Sequence, residues 1–302
     1  MNRKRQIVLI SAVAVALSIG GVWIAARRLP TPPVQGQAMR FVTDLSGRRV
    51  RIPLRPTRVL SLCTSATDTI VALGAGDRLL AIDEFSRVVP GTERLAIAGK
   101  GSAISREKVA ALQVDLAFLW WYQADAAAML EDLSIPVVLV RSVRAAELPA
   151  TVRLIGNCTD CGPAAERLAA ELETFLARAE RPPTLAAKRV FLELYGPLKT
   201  VGRDTYTNDL LELAGARNVA ADAKGTLLFS AERLVQADPD VILVVGAASD
   251  RAALVSRPGM TELRAVREGR VFALDRYWLV AGPQMPQSVE RIRRTISGSP
   301  SP

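Results

Sequence analysis

One segment of this chain occurs twice. SREKVAALQVDLAFLW occupies residues 105–120, and SAERLVQADPDVILVV occupies residues 230–245. Each copy is typical of a short helix that leads into a buried strand, and a weaker echo pairs residues 68–83 with residues 208–222. A serine, a glutamate and an aspartate recur at matching places, namely Ser105, Glu107 and Asp115, then Ser230, Glu232 and Asp240. The duplication predicts two α/β lobes of similar build, with a cleft between them.

Length and composition agree with a two-lobed globular body. The chain has 302 residues, of which 49% are hydrophobic and 23% charged, enough to form two ordinary cores. The net charge is +9, but six positive charges fall in the first 40 residues, which contain no acid: Arg3, Lys4, Arg5, Arg27, Arg28 and Arg40. The remainder is only mildly basic and has no dense Lys/Arg stripe with interleaved aromatic residues. We therefore expect no nucleic-acid partner, and we expect a monomer.

The N-terminus carries an apolar run at residues 7–24, behind three basic residues. At about 1.5 Å per residue, a helix of this length reaches the short end of what crosses a bilayer. Signal cleavage usually needs small residues one and three positions before the cut, and Trp23 and Ile24 break that pattern at the nearest alanines. No cysteine that could carry a lipid lies nearby.

These features predict an uncleaved anchor at residues 1–28 that tethers the protein to the inner membrane, with the body outside the cytoplasm. A proline-containing spacer at residues 29–40 would separate the anchor from the body. The alternative is a signal that is cleaved near Ala38, which would leave a soluble periplasmic protein.

Three cysteines occur in the chain: Cys63, Cys158 and Cys161. In an oxidising compartment the CxxC spacing of Cys158 and Cys161 allows a local disulfide, although the same spacing also serves metal binding or thiol exchange. The chain has no histidine and no second CxxC, which weighs against zinc. We predict no metal site and no cofactor, and we assign no role to Cys63.

Strand and helix patterns divide the body into three parts. Residues 41–150 contain the short apolar runs RVLSLC, LLAID, DLAFLW and IPVVLV, separated by helical patterns, which indicates a mainly parallel sheet. The stretch from residue 145 to residue 181 has helical periodicity over its second half, no strand follows it directly, and two prolines stop it, so we expect one long connecting helix over residues 151–187. Residues 188–302 repeat the alternation of strand and helix as a second lobe.

This order of elements, with RVLSLCTSATDTIVALGAGDRLLAID and SREKVAALQVDLAFLW, resembles the substrate-binding proteins of ABC importers for iron-siderophore, haem and cobalamin. The resemblance runs from about residue 40 to about residue 296. It implies two Rossmann-like lobes joined by one long rigid helix, with the ligand in a shallow cleft between them. It also implies one glutamate on each lobe that docks onto arginines of the membrane permease, and Glu107 and Glu232 fall at those places.

A purely structural role for these glutamates is the alternative. An acid in the first turn of a helix opposes the helix dipole, which is worth roughly 0.3–1 kcal/mol. A reciprocal capping box would need an acid one residue later, where Lys108 and Arg233 stand. We therefore expect the carboxylates of Glu107 and Glu232 to face outward and to dock on the permease.

The ligand is expected beyond the carboxyl ends of the strands, where loops leave the sheets. Loops at residues 63–67, 120–125, 195–206 and 275–284 fall there. Aromatic residues and arginines concentrate in these regions, which suits a large, partly aromatic, anionic ligand. We predict ligand contacts by Arg87, Trp120, Trp121, Tyr122, Tyr195, Arg203, Tyr206, Arg276, Tyr277 and Trp278.

A ferric siderophore fits this prediction, because the chelator already fills the coordination shell of the metal. Cobalamin is the nearest alternative, since aromatic walls alone could hold a corrin. Haem through a histidine ligand is excluded, while haem through a tyrosine stays open. The resemblance further implies that the lobes close by only a small angle.

Other classes of protein fit less well. GAGDRL looks faintly like a dinucleotide loop, but it follows a helix and lacks the third glycine. No catalytic Ser/His or Cys/His pair can exist without histidine, so we do not expect an enzyme, and metal insertion into a macrocycle is a minor alternative. A membrane-tethered sensor that reuses the binding fold is the third class.

Overall fold

The computed structural model describes residues 37–179 and 187–298. The stretch Gly36–Pro302 forms one compact unit. The predicted anchor at residues 1–28 and most of the predicted spacer lie outside the described residues. Among the described helices, none is long and apolar enough to cross a membrane.

The N-terminal lobe is built on a six-stranded sheet. Its strands are β3 (Val59–Ser61), β4 (Leu79–Asp83), β5 (Ala96–Lys100), β6 (Ala103–Ile104), β7 (Leu116–Trp120) and β8 (Val137–Val140), in the spatial order β6-β5-β4-β3-β7-β8. All neighbours run parallel except β5 and β6. Strands β3, β7 and β8 are buried on both faces, as is usual where helices cover a parallel sheet. The lobe also contains a hairpin of β1 (Met39–Thr43) and β2 (Arg49–Pro53), and the helices α1 (Thr64–Ala72), α2 (Arg106–Leu112) and α3 (Ala124–Asp132).

The connection between the lobes differs from the predicted single helix over residues 151–187. It consists of two helices, α4 (Leu148–Cys158) and α5 (Gly162–Ala179), and residues 180–186 lie outside the described ranges. The chain turns between the helices at Asp160, which adopts a left-handed backbone conformation with φ of 55°. The predicted long helix is therefore confined to the second half of this segment.

The two connecting helices fold back on each other. Arg153 on α4 donates hydrogen bonds to Glu166 and Glu173 on α5, the former at 2.7 Å from Nη2. The helices also meet at Gly156, where an added Cβ would lie only 2.1 Å from the Cβ of Ala165. Only glycine permits this close crossing.

The C-terminal lobe contains a smaller, fully parallel sheet. Its strands are β9 (Arg189–Glu193), β11 (Arg217–Asn218), β13 (Val241–Val245) and β14 (Val271–Leu274), in the order β11-β9-β13-β14. A separate antiparallel pair is formed by β10 (Lys199–Val201) and β12 (Thr226–Leu228). The helices are α6 (Tyr206–Leu213), α7 (Ala231–Ala237), α8 (Ala248–Val255), α9 (Arg264–Arg267) and α10 (Met285–Ser297). The fold is thus α/β with two lobes and mainly parallel sheets, as the sequence predicts.

Helix α4 belongs to the cores of both lobes. Leu148 and Val152 pack in the cluster that covers one face of the C-terminal sheet. Leu154 and Ile155, on the same helix, pack in a cluster of the N-terminal lobe. Just before this helix, Arg144 forms a two-pronged ion pair with the buried Asp209 of α6, at 2.8 Å from Nη2. The lobes are consequently joined by shared packing as well as by the chain.

The duplicated segments adopt matching structures. Ser105 and Ser230 cap α2 and α7, each accepting a hydrogen bond from the backbone N–H three residues later. The helices end in matching left-handed residues, Gln113 with φ of 50° and Asp238 with φ of 35°. The duplication in the sequence is therefore also a duplication of local structure.

Candidate functional site

A cavity of about 720 Å³ lies between the lobes at the carboxyl ends of the strands. Much of its lining lies at or soon after strand ends in both lobes, as expected for parallel sheets. The N-terminal lobe supplies Thr64, Asp83, Phe85, Gly101, Ser102, Trp120, Tyr122, Gln123 and Ser142. The C-terminal lobe supplies Leu194, Tyr195, Lys199, Tyr206, Thr207, Arg276, Leu279, Val280 and Ala281.

The N-terminal wall of the cleft is a cluster of rings at the end of β7. Trp120 and Tyr122 are stacked, with centroids 6.3 Å apart and planes 8° from parallel. Trp121 stands edge-on to both rings. Gln123 is buried behind them, and its Oε1 accepts a hydrogen bond from the backbone N–H of Trp120 at 2.8 Å. This bond fixes the turn that presents Tyr122, of which 63% is exposed.

The C-terminal wall includes two tyrosines with different environments. Tyr195, directly after Leu194, is 60% exposed and has a left-handed φ of 68°, which is strained for an aromatic residue. Tyr206, the first residue of α6, is buried and its hydroxyl has no hydrogen-bond partner among the described residues. Burial raises the pKa of Tyr206, so it is a neutral phenol at physiological pH.

Cations lie over the rings at the cleft. The guanidinium carbon of Arg276 is 5.0 Å from the ring centroid of Phe85 and 5.5 Å from that of Tyr195. The ammonium of Lys199 is 5.6 Å from the ring centroid of Tyr195. The acid of the lining, Asp83, is buried, and burial raises its pKa while Ser86 and Arg276 lower it. The lining as a whole favours an anionic, ring-containing ligand.

Five of the ten predicted ligand residues line this cavity: Trp120, Tyr122, Tyr195, Tyr206 and Arg276. The other five have contacts elsewhere. Arg87 donates to the backbone carbonyls of its own loop, at 2.6 Å to Thr92 and 3.0 Å to Leu95. The guanidinium of Arg203 donates to the carbonyls of residues 221 and 222. Both arginines therefore stabilise loops.

The remaining three predicted residues are aromatic and lie beside the cleft. Trp121 is at its rim, 37% exposed, with the Arg141 guanidinium 5.8 Å from its ring centroid. Trp278 packs against the C-terminal core. Tyr277 points into the junction between the lobes, where it contacts Asp68.

Several lining residues were not predicted. Phe85 lies two residues after the end of β4, and the rule that selected the other loops would have selected it too. Lys199 and Gln123 lie within two of the predicted loops, but only aromatic residues and arginines were selected there. In the structure Lys199 begins β10, and Gln123 Oε1 accepts a local hydrogen bond. Sequence alone does not indicate either placement.

A buried carboxyl lies where the lobes meet behind the cleft. Asp68 on α1 is 4% exposed, and burial raises its pKa to about 7, although a hydrogen bond with Tyr277 lowers it. Gly282 allows this approach, because a Cβ there would lie 2.0 Å from Asp68 Oδ2 and 2.5 Å from Gln284 Oε1. Gln284 Oε1 is a buried acceptor without a partner in the described chain. A protonated Asp68 could donate to it.

The body of the chain is similar to known binding proteins. A family profile described as periplasmic binding protein matches residues 59–277. The chain belongs to the periplasmic binding protein family. Among its relatives are a cobalamin-binding protein of Halobacterium salinarum, 29% identical over 93% of this chain and 80% of the relative, and the ABC transporter substrate-binding lipoprotein YvrC of Bacillus subtilis, 27% identical over 84% of both chains. A periplasmic haem-binding protein of Pseudomonas aeruginosa has the same fold, with a TM-score of 0.71 and 26% identity over 82% of this chain and 95% of that protein.

The paired glutamates of this family member are exposed at the starts of α2 and α7. Hydrogen bonds from their own backbone N–H groups and from the cap serines lower the pKa of both Glu107 and Glu232. Neither forms an ion pair within residues 37–179 and 187–298, since the flanking Arg106 and Arg233 pair with other acids. Both carboxylates are thus charged and face solvent.

The three cysteines are free thiols in the structure, so the disulfide that the spacing allows is not formed in it. Burial raises the pKa of Cys158 to about 12, and the Cys161 thiol donates to the carbonyl of Thr159 at 3.3 Å. Cys63 is wholly buried at the start of α1 and does not line the cleft. No group of three or more potential metal ligands occurs among the described residues.

Proposed function

We propose that this protein is the extracytoplasmic solute-binding component of an ABC importer, and that its cargo is a ferric-siderophore-type iron complex. The observation that carries this proposal is the lining of the cleft, where rings from both lobes stand beside the two cations Arg276 and Lys199. The similarity to a substrate-binding lipoprotein of an ABC transporter supports the importer role. We propose a binding role without catalysis, which membership of the periplasmic binding protein family supports. We also propose that the N-terminal segment holds the body at the inner membrane.

The chemistry of the lining suits a chelate better than a bare metal ion. Direct iron binding needs several anionic or imidazole ligands on one ion, and the described residues contain no group of three or more His, Cys, Asp and Glu side chains that could hold one. A chelated metal presents its organic shell instead, which rings and guanidinium groups can recognise by shape and charge. Catecholate rings supply both a conjugated face and negative charge.

Delivery to a permease is the second half of the proposal. Glu107 and Glu232 are exposed and unpaired with cations in the described body, and they stand at matching places on the two lobes. Carboxylates in this state suit charge-assisted hydrogen bonds to arginines on a membrane partner. A sensor without a transport role would not require both acids.

A corrinoid is the second candidate for the cargo. The relative in Halobacterium salinarum is named as a cobalamin-binding protein, and the stacked Trp120 and Tyr122 offer a flat apolar wall. Haem is a further alternative in the same importer class, supported by the fold of the Pseudomonas aeruginosa protein. The cations in the cleft favour an anionic chelate over neutral cyanocobalamin.

Fluorescence titration tests the proposed cargo. The purified protein is titrated with ferric enterobactin, cyanocobalamin and haemin, with Trp120 and Trp121 as reporters. We expect ferric enterobactin to quench the emission with a Kd of about 1 µM or tighter. Tyr195→Ala should weaken binding at least tenfold, whereas Phe41→Ala, at an exposed ring on the β1–β2 hairpin, should not. Tight binding of cyanocobalamin alone would replace the first candidate with the second, and no binding of any probe would contradict the cargo class.

A further inference from the structure

Arg276 occupies an unusual position in the cleft. It follows β14 of the C-terminal lobe, yet its guanidinium lies 5.0 Å from the ring centroid of Phe85, which follows β4 of the N-terminal lobe. The same guanidinium lies 5.5 Å from the ring centroid of Tyr195. One cation therefore contacts a ring from each lobe at the place where the cargo is expected.

The ring contacts are the principal restraint on this side chain. In residues 37–179 and 187–298, no hydrogen bond or ion pair of the Arg276 guanidinium is found. Arg87 and Arg203, by contrast, each donate to backbone carbonyls. The nearby carboxylate of Asp83 is already bonded to the backbone N–H and hydroxyl of Ser86. All five N–H donors of Arg276 consequently remain available.

The rings themselves are held in place by their backbones. Tyr195 has a left-handed φ of 68°, a conformation that an aromatic residue adopts only where the surrounding fold imposes it. Phe85 lies in a short 3₁₀ helix over Glu84–Val88, which Asp83 caps through Ser86. A long side chain without a hydrogen bond or ion pair in the described chain thus rests on two rings that the fold presents to the cleft.

We propose that Arg276 is a displaceable plug that selects the cargo. A bound cargo takes the place of the guanidinium over Phe85 and Tyr195, and the released guanidinium pairs with an anionic group on that cargo. This inference rests on the proposed binding function and narrows it. The favoured cargo must offer a flat conjugated face together with a carboxylate or catecholate at its edge.

The physical reason is a competition between two kinds of contact. Cation–π contacts at a partly exposed site are weak, so a conjugated ring can replace the guanidinium on the two aromatic faces. A guanidinium that then meets a carboxylate or catecholate forms charge-assisted hydrogen bonds, which are stronger. A neutral flat cargo also has to displace the guanidinium from the two rings, but it offers no anionic group with which the guanidinium can then pair. Arg276 therefore disfavours binding of such a cargo.

Substitutions at position 276 separate the two roles of the side chain. Arg276→Gln removes the cation that competes with the cargo for the two rings, and it also removes the partner for an anionic group on the cargo. Arg276→Lys keeps the positive charge but loses the planar set of N–H donors. For ferric enterobactin we expect at least tenfold weaker binding to Arg276→Gln and a smaller loss for Arg276→Lys. For cyanocobalamin we expect Arg276→Gln to bind at least threefold more tightly than the natural protein. Equal changes in Kd for the two probes, or no change in Kd for either, would contradict the proposed role of Arg276.

A second measurement does not depend on which cargo binds. The seven phenylalanines are replaced by 4-fluorophenylalanine, and the ¹⁹F resonance of Phe85 is assigned by its loss in Phe85→Leu. We expect Arg276→Gln to shift this resonance, while the matched Arg203→Gln leaves it in place. An unshifted Phe85 resonance overturns the ring contact even if a probe binds. A shifted resonance in a protein that binds neither probe supports the contact and contradicts only the proposed cargo.

Discussion

Asp115 and Asp240 accept hydrogen bonds from the backbone at the start of the neighbouring strand. Asp115 accepts from the N–H groups of Thr57 and Arg58, at 2.9 and 3.0 Å, just before β3. Asp240 accepts from the N–H of Arg189, at 2.7 Å, at the start of β9. The recurrent aspartates therefore fix strand starts, and the recurrent serines cap helices. The recurrent glutamates bond only within their own helix starts, to the cap serine and to their own backbone N–H.

Removing one of these aspartates should destabilise the fold. We expect Asp115→Ala to lower the free energy of unfolding by about 1–3 kcal/mol, because two backbone N–H groups lose their acceptor. Urea denaturation measures the change. Asp125→Ala, at an exposed position in the first turn of α3, is the matched control and should cost less than about 1 kcal/mol. Equal losses in the two variants would contradict the role of Asp115.

Asp68 should make stability depend on pH. Its pKa is raised from 3.8 to about 7 by burial, so the folded state holds a proton that the unfolded state releases between these values. The contribution of this proton to the free energy of unfolding is complete below about pH 4, and it is lost as the pH rises through 7. The total loss is at most about 4 kcal/mol. Tyr277 and Tyr206, which face Asp68, stay neutral in this range because burial raises the pKa of both.

Comparison of the natural protein with Asp68→Asn isolates this contribution. The free energy of unfolding is measured by urea denaturation at pH 4.5 and at pH 8. We expect the natural protein to lose more stability than Asp68→Asn over this interval, since asparagine does not titrate. An identical loss in both proteins would show that Asp68 does not carry the proton.

Among the elements, the α4–α5 pair depends on one close contact. We expect Gly156→Ala to destabilise the protein by about 1–3 kcal/mol, because the new methyl group would overlap the side chain of Ala165. Gly162→Ala is a fitting control, since its Cβ would meet only Asn157 Oδ1 at 3.4 Å near the start of α5. That variant should lie within about 1 kcal/mol of the natural protein. An unchanged free energy of unfolding in Gly156→Ala would contradict this, because it would show that α4 and α5 can move apart to accommodate the methyl group.

The sequence predicts the elements of the lobes well and the connection poorly. Buried strands such as DLAFLW and VILVV appear as short apolar runs, and the duplication exposes the two-lobed plan. The sequence shows helical periodicity only in the second half of the connection, and it does not reveal that a separate helix, α4, lies before the turn at Asp160. Five cleft residues follow from the rule that ligands bind beyond strand ends. That rule cannot say which way a side chain turns, and it therefore also selects Arg87, which bonds to its own loop, and Trp278, which packs against the C-terminal core.

At the scale of the whole molecule, the paired glutamates should separate delivery from capture. We expect the double variant Glu107→Arg and Glu232→Arg to reduce uptake of the bound probe at least tenfold in cells that carry the importer. The Kd of the purified variant for the same probe should stay within about twofold, because neither residue lines the cleft. Glu171→Arg, on the exposed face of α5, controls for a general effect of charge reversal. Lost affinity with normal uptake would refute the docking role.

Lobe closure should be small. Helix α4 lies in both cores, and the ion pair between Arg144 and Asp209 ties the connection to α6. Small-angle scattering with and without saturating probe should show the radius of gyration changing by less than about 1 Å. A large compaction would mean that the shared packing of α4 breaks on binding.

The shared helix also has a consequence for unloading. A carrier with separate halves could relax spontaneously into a wide-open form and let its cargo diffuse away. Here such a form would strip apolar side chains of α4 from one lobe or the other and expose them to water. Under the proposed importer role, we expect the cargo to leave when the membrane partner separates the two lobes, and not by spontaneous opening of the free protein.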